Sequence, residues 1–223
     1  MTHRPTRWEL GGEQNAGYAR RFGQLVADGV DVDGEARLAD VLVGRGARIL
    51  DVGSGMGRVA DALARRGHRV DAVEPDPALV EQSARTYPEL RVIPGDILEV
   101  ALQPGYDLIV LVGNVMVFLA EGTEREVLTR VRGLLAPQGR VLVGFHPVDG
   151  PETARDYAPE DFAADARASG LRVDLRAGSY ELHPPAEDYA VWVLARDDSP
   201  RPVTWLGHAC GPGSAPPAAG RSD

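Results

Sequence analysis

The sequence predicts a three-layer α/β sandwich, a seven-stranded and mostly parallel sheet with an antiparallel last strand and helices on both faces. Three observations carry that prediction. From residue 47 onward, short runs rich in Val, Ile and Leu alternate with amphipathic segments of roughly 10–13 residues, the pattern of successive βα units. The first run, ARILDV, ends in Asp51-Val52-Gly53-Ser54-Gly55-Met56-Gly57, a glycine-rich turn leading straight into a helix. The last two runs, LRVDLRAGSY and YAVWVLA, have no helix between them, so the final strand must run antiparallel to its neighbour.

The elements follow in order. Residues 1–14 are polar and aperiodic and read as a loose arm. Tyr18, Phe22, Leu25 and Val26 recur at helical spacing and predict a helix over 15–28. A second short helix is expected from Asp33 as N-cap, with Leu38, Val41 and Leu42 as its apolar face. These segments make 1–44 an arm with lid helices, 45–196 the core domain, and 197–223, rich in Pro, Gly, Ala and Ser, a disordered tail. Within the core, Gly55 to Arg66 is read as a helix closed by Gly67, and HRVDAVE as the second strand. Asp76-Pro77 opens the next helix, with proline at the first turn, where a missing N–H costs nothing. RVIPGD and YDLIVLV are strands three and four. Thr123-Glu124-Arg125-Glu126 has the form of a capping box. Val127, Leu128, Val131, Leu134 and Leu135 then face one way, and Pro137-Gln138-Gly139 turns the chain into RVLVGF. Pro159 to Ser169 is the last helix.

Composition narrows the chemistry. The 223 residues carry 33 acidic side chains against 24 basic ones, a formal net charge of −9. That balance disfavours a nucleic-acid backbone as partner. All the basic residues other than histidine are arginine, which excludes a Schiff-base lysine, a P-loop NTPase and a kinase. The single cysteine, Cys210, excludes a disulfide framework or a cysteine metal site within one chain, and no metal site is expected. No membrane-spanning run and no signal peptide is visible, so a cytoplasmic protein is expected.

The glycine turn gains meaning from its surroundings. Strand-turn-helix with Glu74 at the end of the second strand brings a carboxylate to the carboxyl edge of an open parallel sheet, where ligands bind. Such a carboxylate can accept two hydrogen bonds from a ribose diol. The spacing is G-x-G-x-G rather than the dinucleotide G-x-G-x-x-G, whose third glycine position holds Arg58. The preceding Asp51 suits an ammonium group better than a pyrophosphate.

With these residues in view, 47–146 resembles the Rossmann-like class I S-adenosylmethionine-dependent methyltransferases of small bacterial type. The matching segments are ARILDVGSGMG, DAVEPD, PGDILE, YDLIVLVGNV and LLAPQGRVLVGF, in that order. The resemblance implies S-adenosyl-L-methionine as cofactor and S-adenosyl-L-homocysteine as product. It implies that Asp51 serves the cofactor's amino group while Gly53, Ser54, Gly55 and Gly57 admit it to the backbone. Glu74 would take the ribose hydroxyls, Pro75 would lie beside the adenine, and Asp96 would meet the adenine amino group with Ile97 opposite. Gly113 and Asn114 would lie near the sulfonium, and Tyr18 would reach in from the lid.

A base is needed only if the acceptor must lose a proton. His146, immediately after the fifth strand, is the best-fixed candidate. Asn114 and His183 are expected on the same rim, while His3, His68 and His208 read as solvated. Tyr157, Tyr180 and Trp192 are possible walls of an acceptor pocket. Gly113-Asn114-Val115-Met116 lacks the Asn/Asp-Pro-Pro-aromatic element of many enzymes that methylate planar amino groups. The acidic charge and the lack of a large insertion after the fifth strand lead to the expectation of a small organic acceptor with oxygen or nitrogen as nucleophile. Competing expectations are a non-catalytic cofactor-binding or scaffold protein of the same fold, and a nicotinamide- or flavin-dependent oxidoreductase, which the Arg58 position and Asp96 oppose.

Overall fold

Residues 4–12, 17, 24–25, 28–151 and 153–200 are described by a computed structural model of the chain. Seven strands form one sheet in the order β3-β2-β1-β4-β5-β7-β6. They are β1 (Arg48–Val52), β2 (Arg69–Glu74), β3 (Val92–Pro94), β4 (Tyr106–Leu111), β5 (Leu135–Phe145), β6 (Leu171–Ala177) and β7 (Ala190–Arg196). Strands β1 to β5 pair in parallel, and β7 runs antiparallel to both β5 and β6. The order reverses between β1 and β4, so the crevice at their carboxyl ends is the ligand position of an open α/β sheet.

The helices are α1 (Arg7–Gly11), α2 (Gly34–Val41), α3 (Arg58–Arg65), α4 (Pro77–Thr86), α5 (Val115–Phe118), α6 (Glu124–Leu134) and α7 (Pro159–Ala168). Alternate strand residues feed two cores. Leu50, Val52, Ile109, Leu111, Val141 and Val143 pack against Val127, Leu128 and Val131 of α6 and Phe162 of α7. Ile49, Leu108, Val110 and Leu142 meet Ala36, Leu38 and Ala39 of α2 and Val59, Ala62 and Leu63 of α3. Each fully buried Leu or Ile contributes roughly 1.5–3 kcal/mol. Among the described residues no helix is long and apolar enough to cross a membrane.

Several local readings change. The arm is not loose throughout. Thr6 caps α1 through a complete capping box, its Oγ1 accepting the Glu9 N–H at 3.1 Å and Glu9 Oε2 accepting the Thr6 N–H at 2.6 Å. The box expected at Thr123 does not form. Thr123 is already helical in backbone and its hydroxyl donates to Ala120 O at 2.7 Å, while Glu126 pairs with Arg4 at 2.6 Å. Arg4 from the arm takes the glutamate, and a carbonyl three residues back takes the hydroxyl. Val41 is 80% exposed, because α2 meets the sheet through Ala36, Leu38 and Ala39 instead. The third helix begins at Arg58 rather than Gly55, since Gly53, Gly55 and Gly57 all hold positive φ. Pro137–Gly139 is absorbed as a register irregularity within β5 rather than preceding it. His68 is buried, its Nε2 2.9 Å from Asp40 Oδ1, because the turn at Gly67 folds it against α2. His3, His208, Cys210, Phe22 and most of the helix expected over 15–28 lie outside the described residues, as does most of the expected tail.

Gly57 cannot carry a side chain. Its φ is +88°, and an added Cβ would come 2.5 Å from Ser83 Oγ and 2.6 Å from Leu90 Cδ2. Gly67, at φ +90°, faces open space. Gly57→Ala should therefore lose about 2–4 kcal/mol in urea denaturation, from strain plus overpacking, and Gly67→Ala only about 1 kcal/mol. Equal losses would mean that α4 yields to the extra methyl.

Candidate functional site

The turn after β1 is built from its own backbone. Gly53 and Ser54 both donate their N–H groups to Val73 O, at 2.8 and 3.1 Å, which fastens the turn to β2. Gly53, at φ +66°, also lies against Val115, where a Cβ would meet the isopropyl group at 2.7 Å. Gly55, at φ +57°, directs its N–H to Glu74 Oε2 at 2.8 Å. The other Glu74 oxygen accepts the Asp76 N–H, also at 2.8 Å. One carboxylate thus clamps the turns after β1 and β2 together.

A cavity of about 480 Å³ opens at this edge, within the range of small-molecule sites. Asp51, Gly53, Ser54, Gly55, Glu74, Pro75, Asp96, Ile97, Gly113 and Asn114 all line it. Gly57 does not. It is the N-cap of α3 and packs against Ser83 and Leu90, so its role is conformational. Tyr18, named beside these residues from sequence, lies outside the described ones.

The cavity wall is acidic and poorly satisfied. Asp51 is 2% exposed, and its Oδ2 has no hydrogen-bond partner among the described residues; the nearby Ser54 Oγ is likewise unpartnered. A buried carboxylate oxygen without a donor is costly. Burial pushes the Asp51 carboxyl up to about 7, with Arg58 opposing and Glu74 reinforcing the shift. Glu74 is also pushed up to about 7 by burial, partly offset by its two backbone donors. Arg58 lines the same cavity and is held by Glu35 at 2.6 Å and by the Val32 carbonyl. Asp96 Oδ1 accepts the Leu98 N–H at 2.7 Å, fixing the turn after β3. This arrangement suits a ligand that brings a cationic donor to Asp51 and hydroxyl groups to Glu74.

Sequence reasoning missed the roof. Thr6 and Trp8 line the cavity, with Phe118 and Leu119 opposite. Trp8 Nε1 donates to Asp76 Oδ2 at 2.8 Å, and its ring meets Phe118 edge to face at 5.4 Å. Arg7 donates to Leu119 O at 2.8 Å. The signal was present as Thr6-x-x-Glu9, a second capping-box pattern sitting just ahead of the cavity residues.

His146 stands at the end of β5 beside Asn114, outside the cavity lining. Its Nδ1 is 3.0 Å from Asn114 Oδ1, and its ring meets Tyr189 edge to face at 4.8 Å. Burial lowers its pKa below the ordinary value, with Asp188 pulling the other way. His183 does not join them; it is exposed and bonds Ser179 Oγ at 2.9 Å. Tyr157 and Trp192 are core residues, Tyr157 donating to Asp165 at 2.7 Å. Tyr180 lies behind the rim, its hydroxyl 2.9 Å from that of Tyr189, in space left by Gly144.

A family model described as a methyltransferase domain matches residues 49–139. A solved structure, a TehB-like SAM-dependent methyltransferase from Corynebacterium glutamicum, is 34% identical, with 82% of this chain and 98% of that one covered and a TM-score of 0.74. Demethylspheroidene O-methyltransferase of Rhodobacter capsulatus is 29% identical over 134 residues, 59% of this chain and 33% of the relative. The ribosomal RNA small subunit methyltransferase A of Geobacter metallireducens is 43% identical over 72 residues, 30% of this chain and 26% of the relative. The chain thus spans a third or less of the length of these curated relatives.

The raised carboxyls have a thermodynamic consequence. Between their ordinary values of 3.8 and 4.5 and about 7, folded Asp51 and Glu74 hold protons that the unfolded chain has released. Stability therefore falls as pH rises through that window. Asp51→Asn removes one such charge and should stabilise the ligand-free protein by at least about 1 kcal/mol near about pH 8.5, and by much less near about pH 5. Thermal denaturation at the two pH values reads the difference; a variant less stable at both would mean that the Asp51 carboxylate is internally compensated.

Proposed function

The chain belongs to the class I S-adenosylmethionine-dependent methyltransferases, and from that premise we propose that it methylates an oxygen or nitrogen of a small organic acceptor. The observation that carries the assignment of the site is the buried Oδ2 of Asp51, which has no hydrogen-bond partner among the described residues. An ammonium group is the donor such an oxygen lacks, and the cofactor has one.

Residues 45–196 form the catalytic unit in this reading, with 1–44 as its lid. Asp51 and Ser54 hold the amino group, and Gly53 and Gly55 give the backbone approach. Glu74 has one lone pair on each oxygen engaged by Gly55 and Asp76, which leaves the others for the ribose hydroxyls. Pro75, Asp96 and Ile97 surround the adenine. Gly113 and Asn114 border the reacting centre. When bound, the cofactor supplies an electrophilic methyl carbon on a cationic sulfur. The protein's own contribution is chiefly alignment, a source of roughly 7–11 kcal/mol of barrier reduction. Trp8 and the rest of α1 exclude water, and His146 takes up the proton of an acceptor that must lose one.

A small acceptor is favoured over RNA by the net charge of −9, which repels a phosphate backbone, although the name of the Geobacter metallireducens relative points to ribosomal RNA. The acidic cavity favours a cationic ligand, which also speaks against a nicotinamide dinucleotide.

Calorimetric titration with S-adenosylmethionine tests the reading directly. We expect micromolar binding, with none of NADH, and Glu74→Ala should weaken it about tenfold or more through loss of charge-assisted hydrogen bonds. An unchanged affinity would remove Glu74 from the ribose. In a screen of small hydroxyl and amine acceptors with radiolabelled methyl donor, His146→Gln should lower turnover on the order of 10²- to 10⁴-fold while cofactor binding persists. Binding without transfer to any acceptor would favour the scaffold alternative.

A further inference from the structure

The contact between Asn114 and His146 contains more information than its length. Asn114 Oδ1 lies 2.9 Å from the backbone N of His146 and 3.0 Å from the ring Nδ1. A backbone N–H can only donate, so the atom facing it must be the amide oxygen and not the amide nitrogen. That oxygen can only accept. Nδ1 must therefore carry the hydrogen, and in the neutral ring Nε2 is left with its lone pair. Among the described residues no hydrogen bond to Nε2 competes for it.

The backbone is set up to hold this geometry. Asn114 sits at φ +77°, in the left-handed region that asparagine tolerates better than most side chains. Its N–H donates to Gly144 O at 3.0 Å, on β5 two residues before His146, which directly follows that strand. Asparagine and histidine are thus fastened together at both backbone and side chain, across the gap between β4 and β5. Among the described residues, the Tyr189 ring meets the imidazole edge to face at 4.8 Å and the Asp188 carboxylate acts on it electrostatically.

We infer that Asn114 is a positioning residue whose side-chain oxygen holds His146 in the Nδ1–H tautomer, turning the Nε2 lone pair to the proton of the acceptor. The inference rests on the reading of His146 as the base. In the step it serves, an acceptor lone pair forms the bond to the methyl carbon and the carbon–sulfur pair stays on sulfur. The acceptor's proton goes to Nε2, and the resulting imidazolium keeps its Nδ1–H bond to Asn114. A histidine side chain free in water prefers the opposite tautomer, with hydrogen on Nε2, so losing the amide should be visible in the ring itself.

The experiment is long-range proton–nitrogen correlation NMR of the full chain without ligand, with His146→Gln used to assign the signal. The wild type should show Nδ1 protonated and Nε2 bare. Asn114→Gly accepts the positive φ without strain and deletes only the amide; it should move the equilibrium toward the Nε2–H form. Asn114→Asp keeps an acceptor at the same place, so it should retain the wild-type tautomer and raise the His146 pKa by about one unit or more. A wild-type ring protonated at Nε2, or a tautomer unmoved in Asn114→Gly, would overturn the inference. Because no ligand is present, this result is separable from the methyl-transfer reading. Full turnover in His146→Gln would overturn the base assignment beneath it while leaving the tautomer measurement intact.

Discussion

The two oxygens of Glu74 join the turns after β1 and β2 at the carboxyl edge of the sheet. One takes the Gly55 N–H and so sets the glycine turn; the other takes the Asp76 N–H and so sets the corner after β2. Asp76 in turn caps α4 through the Ala78 N–H and receives the indole of Trp8. The N-terminal helix is therefore positioned, at one remove, by the same carboxylate that faces the cavity. Such a carboxylate has to be buried to do this, and burial is what raises its pKa.

The site and the scaffold pull in opposite directions. Asp51 and Glu74 sit desolvated at the ends of adjacent strands, and ionising either one above neutrality costs the ligand-free fold stability. The Arg58–Glu35 pair offsets part of this, because it ties α2 to the first residue of α3 with its guanidinium close to Asp51. The two apolar cores on either face of the sheet supply the rest. A protein that can carry unpaired carboxylate density here has a surplus elsewhere, the usual relation between function and stability.

Much of this was legible in the sequence, and the physical reason is locality. Strand and helix periodicity, the glycine turn and the Asp76-Pro77 helix start each depend on neighbouring residues, and they recur in the structure with shifts of a few positions. The antiparallel β7 followed from connectivity alone. What could not be read depends on partners remote in the chain. Thr123-x-x-Glu126 and Thr6-x-x-Glu9 are the same local pattern, yet only the second closes a capping box, because Arg4, 122 residues away, takes Glu126 while the Thr123 hydroxyl turns back to Ala120 O. His68 looked solvated because Asp40 is 28 residues away. Of the two histidines assigned to the rim, His146 follows its strand directly and keeps its place beside Asn114, whereas His183, on a longer loop, turns outward.

The docking of α1 also constrains the order in which the chain is assembled. The contacts of this helix and of Arg4 just before it span wide gaps in sequence: 68 residues from Trp8 to Asp76, 112 from Arg7 to Leu119, and 122 from Arg4 to Glu126. During synthesis this helix leaves the ribosome before any surface it rests on exists. It must wait through the translation of four strands, held only by its own capping box, and a five-residue helix is marginal in water. Long loop closures are made late, after the sheet is paired. The wall of the cavity that is translated earliest is thus the last to be set in place.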